Sequence, residues 1–167
     1  IPQEDYLMMD PFTLRNLEVV SPAHREGRSL LDIIDNTSTP MGGRLLRRRI
    51  ILPLKNIGEI QSRLSLIEFF NDQDILKYDI QVLLKSISDL ERLMGKLAAE
   101  KISPKELGSL RHSLQSIAEI SGKLSEYNEI AAWLEPVTDL TELIKYLESH
   151  LNAELPVMLS KGNVIKG

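Results

Sequence analysis

Apolar side chains recur at spacings of three and four over most of the chain, the period of amphipathic α-helices. The longest such run is Leu107, Leu110, Leu114, Ile117, Ile120 and Leu124. Ser103-Pro104-Lys105-Glu106 precedes it, a capping box with proline at the first helical position. A helix from there through Leu124 is on the order of 30 Å long at 1.5 Å per residue, enough for a rigid strut. Asn56 is placed to cap a second stripe, Ile57, Ile60, Leu64, Ile67 and Phe70, which Asn71-Asp72 should break. A helix over 73–85 carries Ile75, Leu76, Ile80, Leu83 and Leu84. Ser88 or Asp89 then caps Leu90, Leu93, Met94 and Leu97. Residues 126–135, with Trp133 and Leu134, read as a helix ended by Pro136. Asp139 caps a last one with Leu140, Leu143, Ile144, Leu147 and Leu151 inward.

The first third has shorter elements. Tyr6 to Met9 is an apolar run of strand length, and Asp10-Pro11 opens a short helix over Phe12–Leu17. Ser29 caps Leu30–Ile34. Thr39-Pro40 starts a helix to about Leu52, where Pro53 stops it, with Met41, Leu45, Leu46 and Ile50 as apolar positions. Gly42 and Gly43 in its first turns cost roughly 1 kcal/mol each against alanine, which a close backbone contact there would explain. The tail from Pro156 has no helical period. The fold expected is all-α, an irregular multi-helix bundle with long lever-like helices and a short strand allowed at the N-terminus.

Composition narrows this picture. Only 5% of residues are aromatic, so leucine and isoleucine supply the core. There is no cysteine, which excludes disulfides, thiolate metal sites and a cysteine nucleophile. No apolar run approaches the ~20 residues of a membrane span. The acidic start lacks the basic-then-apolar pattern of a signal peptide, and the missing initial Met is read as an internal start within a longer chain. A net charge of −4 argues against autonomous nucleic-acid binding.

Candidate chemistry is sparse. His24, His112 and His150 are scattered, short of the three or four converging ligands zinc needs. Ser113 follows His112 directly, so the two point to different sides of a helix. Glu100 with Lys101 and Glu142 with Lys145 read as solvated pairs. Met41-Gly42-Gly43-Arg44 lacks the Lys and hydroxyl of a phosphate-binding loop and reads as a packing turn. The main charge feature is Arg44, Arg47, Arg48 and Arg49, with Lys55 close behind. Arg44, Arg47 and Arg48 share one helical face. That face is read as pairing with carboxylates of an adjoining helix or domain, with contact to a nucleic-acid backbone as the alternative. Trp133 and the stripes are assigned to core.

Several phrases together resemble the core domain of the MutS family of DNA mismatch-repair ATPases. They are Met9-Asp10 with Thr13-Leu14-Arg15-Asn16-Leu17-Glu18, then Ser29-Leu30-Leu31-Asp32-Ile33-Ile34-Asp35. Next is Thr37-Ser38-Thr39-Pro40-Met41-Gly42-Gly43-Arg44-Leu45-Leu46-Arg47, followed by Pro53-Leu54 and Ile60 through Arg63. Asp89-Leu90-Glu91-Arg92-Leu93 and Ser103-Pro104-Lys105-Glu106-Leu107 complete the series. Arg49 departs from the family, which often carries an aromatic residue there. Lys161 to Gly167 looks like the family's entry into the lever that bears its clamp.

The resemblance implies that residues 1–167 are a core and lever segment, domain III, preceding the clamp. The mismatch-reading, clamp and ATPase domains would lie outside this chain. It implies no catalytic, cofactor or metal residue here; ATP and magnesium would belong to the parent, an intracellular, DNA-associated protein of bacterial type. The parent would bind mismatched duplex as a dimer, this segment would contact sister domains, and no membrane would be involved. Arg44, Arg47 and Arg48 are the candidate contact. Thr39, Pro40, Gly42, Gly43, Asp89, Glu91 and Arg92 are the candidate structural junction, built on the Pro40–Leu52 and Ser103–Leu124 helices. The other readings are the core of a MutS-related recombination protein, an autonomous helical DNA-binding module and a helical protein-binding adaptor.

Overall fold

The fold is described from a computed structural model, for residues 5–134 and 139–166. The chain divides into two compact units, residues 1–72 and 73–167. The described residues are all-α; the N-terminal strand reduces to a single antiparallel bridge between Tyr6 and Leu54. Hydrogen bonds from Leu7 N to Pro53 O (2.8 Å) and from Lys55 N to Asp5 O (3.0 Å) flank it. Pro53 has no N–H to extend the ladder.

In the first unit, α1 spans Pro11–Asn16, α2 Leu30–Ile34, α3 Pro40–Ile51 and α4 Ile57–Asp72. Their starts follow the local chemistry. Asp10 accepts from the N–H groups of Phe12 and Thr13 at 2.9 and 3.0 Å. Ser29 and Asp32 close a capping box on α2, and Ser29 is wholly buried. Backbone carbonyls of Glu18 and Val19 accept the remaining N–H groups of Leu30 and Leu31, so the buried helix end has no orphan donors. Asn56 Oδ1 accepts from Glu59 N at 3.1 Å to start α4.

The expected inward face of α4 is corrected by the structure. Ile57, Leu64 and Ile67 are exposed, and the half-buried positions are Ile60, Arg63, Leu66, Phe69 and Phe70. The stripe is offset because α4 is apolar on more than one side, so spacing alone does not choose the face. α4 ends at Asp72, and Gln73 separates it from the next helix, so the break expected at Asn71-Asp72 falls within a residue of its place.

In the second unit, α5 spans Asp74–Ser86, α6 Leu90–Ala98, α7 Pro104–Leu124, α8 Ala131–Leu134 and α9 Thr141–His150. α7 is the axis, packed against α5, α6, α8 and α9. Leu93, Leu110, Leu114 and Ile144 form its buried cluster, with Leu90, Leu107, Ala118, Leu140 and Leu147 against it. The helix expected over 126–135 is shorter, a 3₁₀ turn at Asn128–Ile130 leading into α8, and Pro136 lies outside the described residues. Ile130, not Trp133, is the buried anchor of this segment; Trp133 is 39% exposed. Asp139 accepts from Thr141 N at 2.9 Å at the start of α9. After α9 the chain returns through a Leu151–Ile165 bridge, with Asn152 N donating to Val164 O (3.0 Å).

Candidate functional site: an arginine face and two capped helix starts

α3 carries four arginines and no carboxylate. Arg48 and Arg49 occupy its last turn, where positive charge complements the exposed carbonyls of a helix C-terminus. Arg44, Arg47 and Arg48 fall on one side, as their spacing requires. With Ile51 and Leu52 they line a shallow hollow of about 340 Å³. The arginines thus flank an apolar floor. Arg44 has an interaction of its own, whereas Arg47 and Arg48 form no ion pair among the described residues.

The start of α3 explains its two glycines, with a correction to the expected contact: side chains, not backbone, crowd them. Thr39 Oγ1 accepts from Gly42 N at 3.0 Å and Pro40 occupies the first turn. Asp35 Oδ1 accepts from Thr37 N (3.0 Å) and Thr37 Oγ1 (2.7 Å), folding the preceding turn over the helix. These two hydrogen bonds hold the Asp35 carboxyl below its usual range, the side-chain bond more than the backbone one. A Cβ on Gly42 would lie 3.0 Å from Thr39 Oγ1, and one on Gly43 would lie 3.3 Å from both Asp35 Oδ2 and Thr37 Oγ1. Thr39, Pro40, Gly42 and Gly43 therefore belong to one tightly closed turn.

Asp89, Glu91 and Arg92 form the start of α6, in the other unit. Asp89 Oδ1 accepts from Arg92 N at 3.2 Å, and both acids have further partners. Arg92 is exposed.

The polar groups that bind α7 to its neighbours escaped the sequence reading. Ser113 and Ser116 lie on its inner side, Ser113 with no exposed surface. Ser113 Oγ donates to Ser109 O at 2.8 Å and accepts from Ser88 N at 3.0 Å. The Ser116 and Ser86 hydroxyls are 2.7 Å apart. The signal in the sequence is two serines three apart beside Leu110, Leu114 and Ile117. Lys77 and Asp74 pair locally along α5 at 2.6 Å, as expected of carboxylates on helices, while other ion pairs are long-range. Among the described residues they include Lys123 with Asp79 at 3.2 Å and Lys96 with Glu106, joining α7 to α5 and α6.

Glu106 works twice. One oxygen takes Lys96, and the other accepts from Ser103 N (3.0 Å) and Ser103 Oγ (2.9 Å). The Lys96 hydrogen bond, then those from Ser103, lower its carboxyl to about 2 from 4.5. A lowered folded-state pKa stabilises above the unfolded value and is lost as pH falls through the folded one. The thermal-stability gap between the parent chain and Glu106→Gln should therefore shrink as pH drops from 4.5 toward 2. A gap independent of pH over that range would show that the carboxylate is not linked to folding.

His150 stacks on Tyr146 with centroids 4.2 Å apart. His112 is exposed beside buried Ser113. Among the described residues no group of three metal-ligating side chains converges, and no helix is long and apolar enough to cross a membrane.

The family model for MutS domain III matches residues 12–167. The chain belongs to the MutS domain III family. A protein named DNA mismatch repair protein MutS from Flavobacterium psychrophilum is 41% identical over 99% of this chain and 19% of its own length. Proteins of the same name from Chlamydia trachomatis serovar A and Clostridioides difficile are 40% and 34% identical, each over 97% of the chain and 20% and 18% of their own lengths. The chain thus spans about a fifth of the length of the curated relatives it matches. In this chain α3 and α6 start at side-chain caps, and α7 packs against four other helices.

Proposed function

We propose that this MutS domain III is the core and lever of a DNA mismatch-repair ATPase, transmitting nucleotide-dependent shape changes to a clamp that grips mismatched duplex. The observation that carries this reading is α7. Its 21 residues start at a closed capping box and are held by four other helices, two ion pairs and a buried serine network. An element anchored so completely moves as a body, which is what transmission between distant sites requires. ATP and magnesium would bind in another domain of the parent, which would act on DNA inside the cell, as a dimer.

The Arg44, Arg47 and Arg48 face fits a sister domain better than DNA. Its floor, Ile51 and Leu52, offers apolar contact that phosphates cannot use. The first unit supports the same reading. Among its described residues Val19 is the one fully buried apolar side chain, while Phe12, Ile57, Leu64 and Ile67 stay exposed. Such surface suits contact with other domains.

Gly43→Val in a full-length parent tests the coupling role. It presses on the Asp35–Thr37 turn without touching nucleotide or duplex in this reading. ATP-driven release of mismatched duplex, followed by stopped-flow anisotropy, should slow several-fold while duplex affinity without ATP stays near normal. Gly95→Ala, whose added Cβ meets nothing within 4 Å, is the control. Unchanged release in Gly43→Val would sink the proposal for α3.

A further inference from the structure

A second arginine cluster, which shares Arg48 and Leu52 with the Arg44 and Arg47 face, lies within the first unit. Arg48 and Arg49 from the last turn of α3, Arg63 from α4, and Tyr6, Leu45 and Leu52 line a pocket of about 190 Å³. Backbone pairing of residues 5–7 with residues 53–55 brings Tyr6 to its edge. No carboxylate lines the pocket, and none of the three arginines forms an ion pair or a side-chain hydrogen bond among the described residues.

The C-terminal carbonyls of α3 offset part of the charge of Arg48 and Arg49. They do not account for Arg63, which sits in the middle of α4 and is half-buried. Burial, and then the neighbouring Arg63, push the Arg49 guanidinium below its ordinary pKa. Cations facing one another across a partly apolar pocket repel, and an anion between them reverses the sign of that interaction. Guanidinium forks match the spaced oxygens of an oxyanion, and a tyrosine hydroxyl can add a donor. Three such forks suit a group with oxygens on several sides, which favours phosphate over a planar carboxylate.

We propose that this pocket binds a phosphate group, its oxygens shared among Arg48, Arg49 and Arg63, with the Tyr6 hydroxyl as a further donor. Free inorganic phosphate and a backbone phosphodiester of DNA present the same chemistry, and the test separates them.

The test is thermal unfolding of the 167-residue chain in sodium phosphate and in sodium chloride at equal ionic strength, with calorimetric titration of inorganic phosphate. Phosphate should raise Tm by on the order of 3 °C over chloride near saturation and titrate with one site. Arg49→Gln and Arg63→Gln should each abolish the difference, and Lys101→Gln, an exposed control, should keep it. Arg49→Gln should also match or exceed the parent's Tm in chloride, because one like charge has gone. If Arg63→Gln fails to fold, Arg49→Lys decides, since it keeps the charge and loses the fork; it should lose most of the phosphate effect.

A short labelled duplex, followed by anisotropy, forms the second arm. Binding that inorganic phosphate displaces and Arg63→Gln removes assigns the site to a DNA phosphodiester. Saturable phosphate binding without duplex binding assigns it to a free phosphate. Equal Tm in phosphate and chloride, or a full phosphate effect retained in both glutamine variants, overturns the proposal.

Discussion

Replacing Leu110 with alanine is expected to lower the stability of the chain by about 2–5 kcal/mol. Leu110 is 6% exposed in the first half of α7, in the cluster with Leu93 of α6, Leu114 and Ile144 of α9. Removing its branched end deletes apolar contacts and leaves a cavity between three helices; α6 and α7 are capped by side chains and joined by Lys96 and Glu106, and Gln115 of α7 donates to Glu148 of α9 at 2.6 Å. Collapse to fill the space is therefore restricted, which puts the cost in the upper part of that range. Urea unfolding should show a lower midpoint with an unchanged slope, the sign of lost stability rather than an altered unfolded state. Ile75→Ala is the comparison, because Ile75 is 82% exposed although it lies on an equally apolar-looking helix. If Leu110→Ala costs no more than Ile75→Ala, α7 is not the structural axis and the lever reading loses its basis.

Ser113→Ala is the second large effect, at about 1–3 kcal/mol. The change removes one oxygen from a site with no exposed surface. Ser88 N, in the link between α5 and α6, then loses its acceptor at 3.0 Å. Ser88 is half-buried, and a backbone N–H left there without its acceptor costs more than the hydrogen bond itself contributed. Ser116→Ala should cost less, since the Ser86 hydroxyl it leaves still has Leu83 O at 2.6 Å. Midpoints measured for both variants decide the order. A larger loss for Ser116→Ala would mean that the link between α5 and α6 is not held through Ser113.

In the full-length parent, these two substitutions should also soften the transmission that Gly43→Val tests from the other unit. In the proposed lever role a less stable α7 transmits less, so loss of stability and loss of ATP-linked release should run in parallel for Leu110→Ala and Ser113→Ala. Gly43→Val, by contrast, should affect release out of proportion to stability.

The helix starts were legible in the sequence because their causes are local. Asp10, Ser29, Thr39, Asp89 and Ser103 each accept a hydrogen bond from an N–H two or three residues ahead. A cap depends on the residue type and its immediate neighbours, so it can be read without knowing the rest of the fold. The long α7 and the inward set Leu110, Leu114 and Leu124 follow from the same local regularity. So do the shared face of Arg44, Arg47 and Arg48 and the reading of the glycine turn as packing rather than phosphate cradle. The family phrases carried the identity for a related reason, since runs such as Thr39-Pro40-Met41-Gly42 encode a particular cap and turn.

What the tertiary structure decided concerns partners distant in the chain. α4 offers apolar residues on more than one side, and only its neighbours select Ile60, Leu66 and Phe70 over Ile57, Leu64 and Ile67. Trp133 is expected in the core, yet Ile130 holds that place because a 3₁₀ turn shifts the register just before α8. Ser113 and Ser116 are buried because Ser88 and Ser86, distant in the chain, satisfy their hydroxyls. Lys96 and Glu106 are ten residues apart, Lys123 and Asp79 forty-four, and no helical spacing announces either pair. Arg49 and Arg63 share a pocket only because α4 returns beside the end of α3. Local hydrogen bonds and periodicity thus determined which segments are helices and where they begin. The choice of face, and of every long-range polar partner, required the folded chain, because burial and charge pairing depend on what arrives opposite.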